Sequence, residues 1–129
     1  MEYTVQLKED LNLIYATASG EWESQTDNAM VRAIMETVDA SGSRKVLLDI
    51  RELHFDLPII HYFERVKEMR EQRQQFGITS TRTAIVYSST DKKLEQDLTF
   101  FETASRNRGL PYCVFQDLEE ATAWLLSEG

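Results

Sequence analysis

Acidic, basic and imidazole side chains cluster immediately after one short apolar run near the middle of the chain. Residues 45–58 read KVLLDIRELHFDLP, and their polar members include Asp49, Arg51, Glu52, His54 and Asp56. In open α/β sheets ligands bind outside the carboxyl ends of parallel strands, so a polar site or a protein-docking edge is expected here. Phe55 lies within this candidate interaction edge. An enzymatic alternative would use Asp49, His54 and Asp56 in acid-base chemistry, which requires that their side chains converge in one cleft.

A structural role is the competing interpretation of the same residues. In it, Asp49 accepts hydrogen bonds from loop N–H groups, Arg51 and Glu52 form a local ion pair, and Asp56 caps the following helix. The two histidines, His54 and His61, show no HxH or HExxH spacing. We therefore predict no metal site, because metal binding needs clustered ligands.

The other sequence motifs of catalysis are missing. Cys113 lies inside the apolar run YCVF and is expected to be an inert buried thiol, and as the lone cysteine it allows no intrachain disulfide and no CxxC motif. No GxSxG surrounds the polar cluster at 88–91, which is expected to cap a helix. Neither GxxxxGK[ST] nor GxGxxG is present. These features favour a non-enzymatic protein without a cofactor.

Alternating strands and helices must position these side chains. Alternation with a period of two over residues 3–7 and 11–18 predicts a hairpin, and apolar runs predict strands at 46–50, 83–87 and 112–115. Apolar stripes at helical spacing predict helices over 25–40, 58–76, 92–108 and 118–126. The charged residues around the stripe of the second of these helices, Arg65 among them, are expected to form a solvated face. Ser24 with Asp27, and Asp117 with Glu120, have the form of N-terminal capping arrangements, while Gly42 and Gly77 supply stops.

The resulting order, ββαβαβαβα, predicts one α/β domain over residues 1–129. Three strand-helix-strand crossovers imply a mixed, mostly parallel sheet of five strands with four helices, in which the strand at 46–50 is central. The first strand is antiparallel to the second. The order of the strands within the sheet does not follow from the sequence.

Composition narrows the possible partners and the cellular location. The 129-residue chain is 42% hydrophobic and carries a net charge of −8, which disfavours nucleic acid and anionic membrane surfaces as partners. The N-terminal residues lack the basic start and the apolar run of a signal peptide, and no segment approaches the length of a membrane span. With a single cysteine, these features predict a cytoplasmic protein without stable membrane insertion.

Several segments together resemble a known family. Gly20 before the first helix, KVLLDIRE, TAIVY, FFETASRNRGLPYCVF and EEATAWL make the sequence similar to the SpoIIAA-like family, a divergent branch of the STAS domains (sulphate transporter and anti-sigma factor antagonist). The resemblance covers almost the whole chain. It implies the STAS fold and a regulatory or interaction module whose partner is another protein or a second copy of itself.

The resemblance also identifies a departure from the STAS pattern. In STAS proteins that antagonise anti-sigma factors, a serine near the start of the helix after the middle strand is phosphorylated by a partner kinase. With Asp49 aligned to the acid that ends that strand, the corresponding residues 55–58 read FDLP and contain no serine or threonine. Asp56 would supply at most a permanent and weaker negative charge there.

A second implication of the resemblance is an apolar ligand. The SpoIIAA-like branch is similar to lipid-carrying CRAL-TRIO-type domains, which implies a carrier or sensor of a small apolar molecule. Its candidate pocket residues are aromatic: Trp22, Phe55, Tyr62, Phe63 and Phe100. Such a function requires a cavity of a few hundred Å3 between the second and third helices. Packing in the core, or isolated positions on the surface, is the alternative role for these rings.

Overall fold

In the described part of the chain, five strands and four helices follow one another in the predicted order. The computed structural model describes residues 1–55, 59–78, 81–88, 92–107 and 112–127, without the side chains of residues 59, 60, 62 and 63. The strands are β1 (Glu2–Lys8), β2 (Leu13–Glu21), β3 (Lys45–His54), β4 (Arg82–Val86) and β5 (Tyr112–Phe115). The helices are α1 (Ser24–Ser41), α2 (Ile59–Gln75), α3 (Lys92–Asn107) and α4 (Leu118–Leu126). The α/β fold class is confirmed.

The strands form a single sheet in the order β1-β2-β3-β4-β5. β1 is antiparallel to β2, and the other neighbours are parallel, so β3 is central as predicted. Each of the three crossovers connects a parallel strand to its neighbour, and all three advance across the sheet in the same direction. Right-handed crossovers that advance in one direction place their helices on one face of the sheet. Helices α1, α2 and α3 therefore share that face, and α4 packs on the opposite face against β3, β4 and β5.

Among the residues that the structure describes, this arrangement gives two hydrophobic cores. The larger core lies between the sheet and α1, α2 and α3, and it includes Ile14, Ile34, Val66 and Phe101. The smaller core lies between the sheet and α4 and consists of Leu13, Leu47, Ala84, Val86, Ala121 and Leu125. Successive side chains of a strand point to opposite faces, so a strand with a core on each side is apolar throughout.

The predicted end of α1 and the predicted start of α4 are confirmed by hydrogen bonds between the cap residues and the backbone of each helix. Gly42 adopts the left-handed conformation with φ 75°, and its N–H donates to the Val38 carbonyl, which is the usual role of glycine after a helix. At α4 the Asp117 side chain accepts hydrogen bonds from the N–H groups of Glu119 and Glu120. None of the described helices is both long and apolar enough to cross a membrane.

The predicted capping arrangement at the start of α1 is wrong. Glu23 occupies the cap position, and its side chain accepts a hydrogen bond from the Thr26 hydroxyl instead of from a backbone N–H of the helix. The Asp27 carboxylate is instead buried, where it accepts a hydrogen bond from Trp22 and pairs with Arg65 of α2. A tertiary interaction has replaced the local one.

Candidate functional site

A β-bulge near the carboxyl end of β3 determines which side chains of this strand point to the same face of the sheet. Thr17 of β2 lies opposite Asp49, whereas Ser19 lies opposite Glu52, so β3 contains one extra residue between these pairs. Bulges redirect side chains and are frequent near functional sites. Beyond this bulge Leu53 packs on the helical core while Glu52 is exposed.

Asp49, Arg51 and Tyr15 form a hydrogen-bonded network before and within the bulge. Asp49 accepts from the Arg51 backbone N–H at 3.1 Å, from Nε at 2.9 Å and from Nη2 at 2.7 Å. The Tyr15 hydroxyl donates to Asp49 Oδ2 at 3.0 Å. Arg51 thus pairs with Asp49, and the local ion pair with Glu52 that the sequence suggested is not the one formed.

The network stabilises the charged form of Asp49. Burial alone would raise the pKa of this carboxyl, but the hydrogen bonds from the Arg51 side chain and backbone and from Tyr15 outweigh it, so the Asp49 pKa is lowered. Burial, reinforced by the hydrogen bond to Asp49, raises the pKa of Tyr15. The Arg51 side chain remains 40% exposed against 11% for Asp49. Asp49 is therefore an anchor that holds an accessible guanidinium in place.

A second pair of side chains lies at the carboxyl ends of β2 and β3. His54 Nδ1 is 3.0 Å from Glu21 Oε2, and the two side chains are 76% and 82% exposed. The Trp22 backbone N–H donates to the His54 carbonyl at 2.9 Å and extends the strand pairing by one residue. Asp56, the last polar residue of the candidate edge, lies outside the described residues.

Asp49 and His54, the two described residues of the proposed acid-base arrangement, have different side-chain partners. The Asp49 side chain bonds to Tyr15 and Arg51, whereas the His54 ring bonds to Glu21. Within the described ranges, no group of three or more His, Cys, Asp or Glu residues gathers at metal-binding distance. Cys113 is buried, and Arg106 Nη2 donates to its Sγ at 2.8 Å, so its surroundings are not purely apolar.

A buried ion pair connects the end of β2, α1 and α2. Arg65 Nε is 2.8 Å from Asp27 Oδ2, with both side chains about nine-tenths buried at 11% and 10% exposure. The Trp22 Nε1–H donates to the same Asp27 oxygen at 2.9 Å, and Arg65 Nη1 donates to Asn28 and Glu68 at 2.6 Å. Burial raises the pKa of Asp27, although Arg65 and the Trp22 hydrogen bond oppose the shift.

Trp22, Asp27 and Arg65 also form one wall of an apolar cavity. The cavity has a volume of about 110 Å3 and lies between the sheet and helices α1, α2 and α3. Its other lining residues are Met30, Val31, Leu48, Ile50, Leu53, Phe55, Met69, Ile85, Leu98, Phe101 and Tyr112. The volume is well below the few hundred Å3 expected for a lipid carrier.

Only part of the predicted aromatic pocket is brought together. Trp22 and Phe55 line the cavity, whereas Phe100 lies with Lys92, Glu95 and Thr103 along a groove on α3. The side chains of Tyr62 and Phe63 lie outside the described residues.

Asp27 and Arg65 were not recognised from the sequence as a pair. Asp27 was interpreted as part of a cap, and Arg65 as part of a solvated face. A signal for Arg65 was available, because it precedes the buried Met69 by four positions and therefore lies on the same face of α2.

Comparison with solved structures identifies the fold. A crystal structure of an anti-sigma factor antagonist from Mycobacterium paratuberculosis matches this chain with a TM-score of 0.61 at 14% sequence identity. The match covers 98% of this chain and 96% of that chain. The chain has the STAS fold. No family model matches the sequence, and no curated protein is significantly similar to it. The resemblance drawn from the sequence is therefore confirmed at the level of the fold.

Proposed function

We propose that this chain is a single-domain, non-enzymatic regulatory module with the STAS fold that binds a protein through the carboxyl ends of β2 and β3. The observation that carries the proposal is the exposed row of Glu21, Arg51, Glu52 and His54 on rigid strands. The similarity to an anti-sigma factor antagonist supports a protein as the partner. We name these four residues the docking edge.

The chemistry of the docking edge suits recognition better than catalysis. Two of its side chains have local partners before any protein binds, because Arg51 pairs with Asp49 and His54 lies within hydrogen-bond distance of Glu21. Exposed charges of both signs contribute mainly to the rate and specificity of association. The partner surface would present a complementary pattern, with an acid opposite Arg51 and a base opposite Glu52.

The docking edge would operate without the serine switch of the antagonists. Residues 55–58 offer no hydroxyl to a kinase, so binding would not depend on phosphorylation at this place. Phosphatase treatment of protein purified from its native cells should leave partner recovery unchanged. A loss or gain of the partner after treatment, traced to a phosphate on this chain, would contradict this part of the proposal.

Charge reversal at Glu52 tests the docking edge. Glu52→Lys and a matched control, Glu9→Lys in the turn at the opposite end of β2, would be used beside the wild type as bait in extracts of the native cells. Both positions are exposed, so both variants should fold. We expect at least one protein to be recovered equally by the wild type and by Glu9→Lys. Its recovery by Glu52→Lys should be at least tenfold lower. Equal recovery by all three baits would refute the docking edge.

A small apolar ligand is a second candidate function, favoured by the cavity between the sheet and the helices. At about 110 Å3, the volume of the cavity is close to that of an engineered cavity of about 150 Å3 that binds benzene. A single ring is therefore the size that fits, and Trp22, Asp27 and Arg65 are the polar groups on the wall that would orient it.

Methionine methyl groups provide an internal control for this second candidate. Met30 and Met69 line the cavity, whereas Met35 is buried elsewhere in the same core. Titration of methyl-labelled protein with benzene should shift the NMR signals of Met30 and Met69 but not that of Met35. Native mass spectrometry of freshly purified protein should show a ligand that appears in the organic extract. Unchanged methyl signals and an empty extract would exclude an apolar ligand.

A further inference from the structure

β1 forms an open lateral edge of the sheet. It pairs only with β2 among the described strands, and it has seven residues where β5 at the other edge has four. Its outer backbone N–H and C=O groups lack a strand partner in the described part of the chain. An edge of this kind is a template for the addition of another strand.

The usual features that block strand addition are missing from β1. Its pairing with β2 runs from Glu2 to Lys8 without a register shift, so no bulge twists it away. It contains no proline, and residues 3–7 (YTVQL) carry no charge. Natural edge strands are commonly protected by prolines, bulges and charged side chains, and the charges of β1, Glu2 and Lys8, are confined to its two ends. Tyr3, Thr4 and Gln6 are also exposed.

We propose that β1 pairs with β1 of a second copy, antiparallel and around a two-fold axis at Val5, to give one continuous sheet of ten strands. A two-fold axis perpendicular to the sheet keeps the α1 face of both copies on the same side. Residues that lie opposite one another must then be both even or both odd in number, because strand side chains alternate. Only registers centred on a residue of β1 satisfy this condition.

The register centred on Val5 is the one that pairs all seven residues of β1. It places Glu2 opposite Lys8 of the second copy, Thr4 opposite Gln6 and Tyr3 opposite Leu7. A centre at Thr4 would leave Lys8 without an opposite residue in β1, and a centre at Gln6 would leave Glu2 without one. Opposite charges and apolar pairs across strands are favourable, so the sequence of β1 is complementary to itself.

The charge of β1 also favours contact between two copies. The whole chain carries a net charge of −8, which makes two copies repel, but β1 contains one acid and one base and is neutral. Seven paired residues extend over about 23 Å, which is a small interface. We therefore expect a reversible dimer with a dissociation constant on the order of 10 μM.

This dimer is independent of the docking edge and of the cavity. The docking edge lies at the carboxyl ends of β2 and β3, whereas the proposed contact runs along the side of β1. Glu52→Lys should leave dimerisation unchanged, and the variants described next should leave recovery of a partner protein unchanged. Failure of one proposal is thus distinguishable from failure of the other.

Charge exchange between the ends of β1 tests the register. Lys8→Glu, Glu2→Lys and the double variant would be compared with the wild type by sedimentation velocity from about 1 μM to about 500 μM. Each single variant should weaken the dimer about tenfold, because two symmetry-related attractive pairs become repulsive. The double variant restores both pairs and should return to within threefold of the wild type.

The two single variants separate pairing from general electrostatics. They change the net charge by two units in opposite directions, so a simple repulsion would weaken one dimer and strengthen the other. Lys8 also lies over the Tyr15 ring at 5.8 Å, and urea unfolding would verify that the variants remain folded. The proposal would be overturned if the wild type were monomeric at every concentration, or if these substitutions left the dissociation constant unchanged. It would also be overturned if β1 bound only an extended peptide of another protein.

Discussion

The buried pair of Asp27 and Arg65 allows a sharp test of how α1 and α2 are held together. Replacing Arg65 by Met keeps an unbranched apolar stem and removes the guanidinium with its charge. The Asp27 carboxylate is then left about nine-tenths buried with only Trp22 Nε1 as a described donor. Breaking a buried ion pair in this way costs about 3–5 kcal/mol. We expect Arg65→Met to lower the free energy of unfolding by that amount at neutral pH.

The loss should depend on pH with a definite sign. Burial already raises the Asp27 pKa above the usual 3.8 of an aspartate, and removing Arg65 removes the main opposing interaction. A raised pKa means that the folded state binds the proton more tightly than the unfolded state. The penalty is therefore complete above the folded pKa and disappears as the pH falls towards 3.8. The deficit should be smaller at pH 5 than at pH 8.

Urea unfolding followed by tryptophan fluorescence measures this difference. Glu68→Gln is the matched control, because Glu68 also contacts Arg65 but is 43% exposed, and it should cost less than about 1 kcal/mol. Adding Asp27→Asn to Arg65→Met removes the unpaired charge and keeps an acceptor for Trp22, so about 2 kcal/mol should be regained. A deficit that is constant with pH, or a double variant no more stable than the single one, would refute the reasoning.

Three further predictions test other parts of the fold by the same unfolding measurement. Asp49→Asn should cost about 1–2 kcal/mol at neutral pH. Because the folded pKa of Asp49 lies below the usual 3.8 of an aspartate, this loss should be complete above pH 3.8 and vanish as the pH falls through the lowered pKa. A loss that does not change with pH would contradict the ionic role. Leu125→Ala should cost about 2–5 kcal/mol because Leu125 is 0% exposed between α4 and the sheet, whereas Leu126→Ala, at 38% exposure, should cost under 1 kcal/mol. Asp117→Ala should cost about 1 kcal/mol through loss of the cap, and Asp117→Ser should recover most of it.

The docking edge and the cavity meet at the carboxyl end of the sheet. Trp22 joins them, because its backbone bonds to His54 while its indole bonds to Asp27 on the cavity wall. A protein bound at the docking edge and a small molecule in the cavity would therefore share one structural element. Measuring partner recovery with and without added benzene would show whether the two sites are coupled.

The sequence by itself determined the elements of this protein and their order. Apolar alternation and helical stripes depend on neighbours within a few residues, so the strands, the helices, the Gly42 stop and the Asp117 cap were predictable from local patterns. The central place of β3 also followed, because an apolar run with one interruption requires cover on both faces. The resemblance to STAS domains was sufficient to predict the fold.

Only the tertiary structure decided which polar groups became partners. Asp27 was predicted to cap α1, Arg65 to face solvent and Arg51 to pair with Glu52. Each instead bonds elsewhere, to a side chain that the packing of α1 on α2 or the bulge in β3 brings within reach. A buried charge is costly unless it is paired, so the free energy of a polar side chain depends on distant residues as much as on its neighbours in sequence. Strand order, the bulge and the size of the cavity likewise arise from contacts between separate elements, which local patterns do not encode.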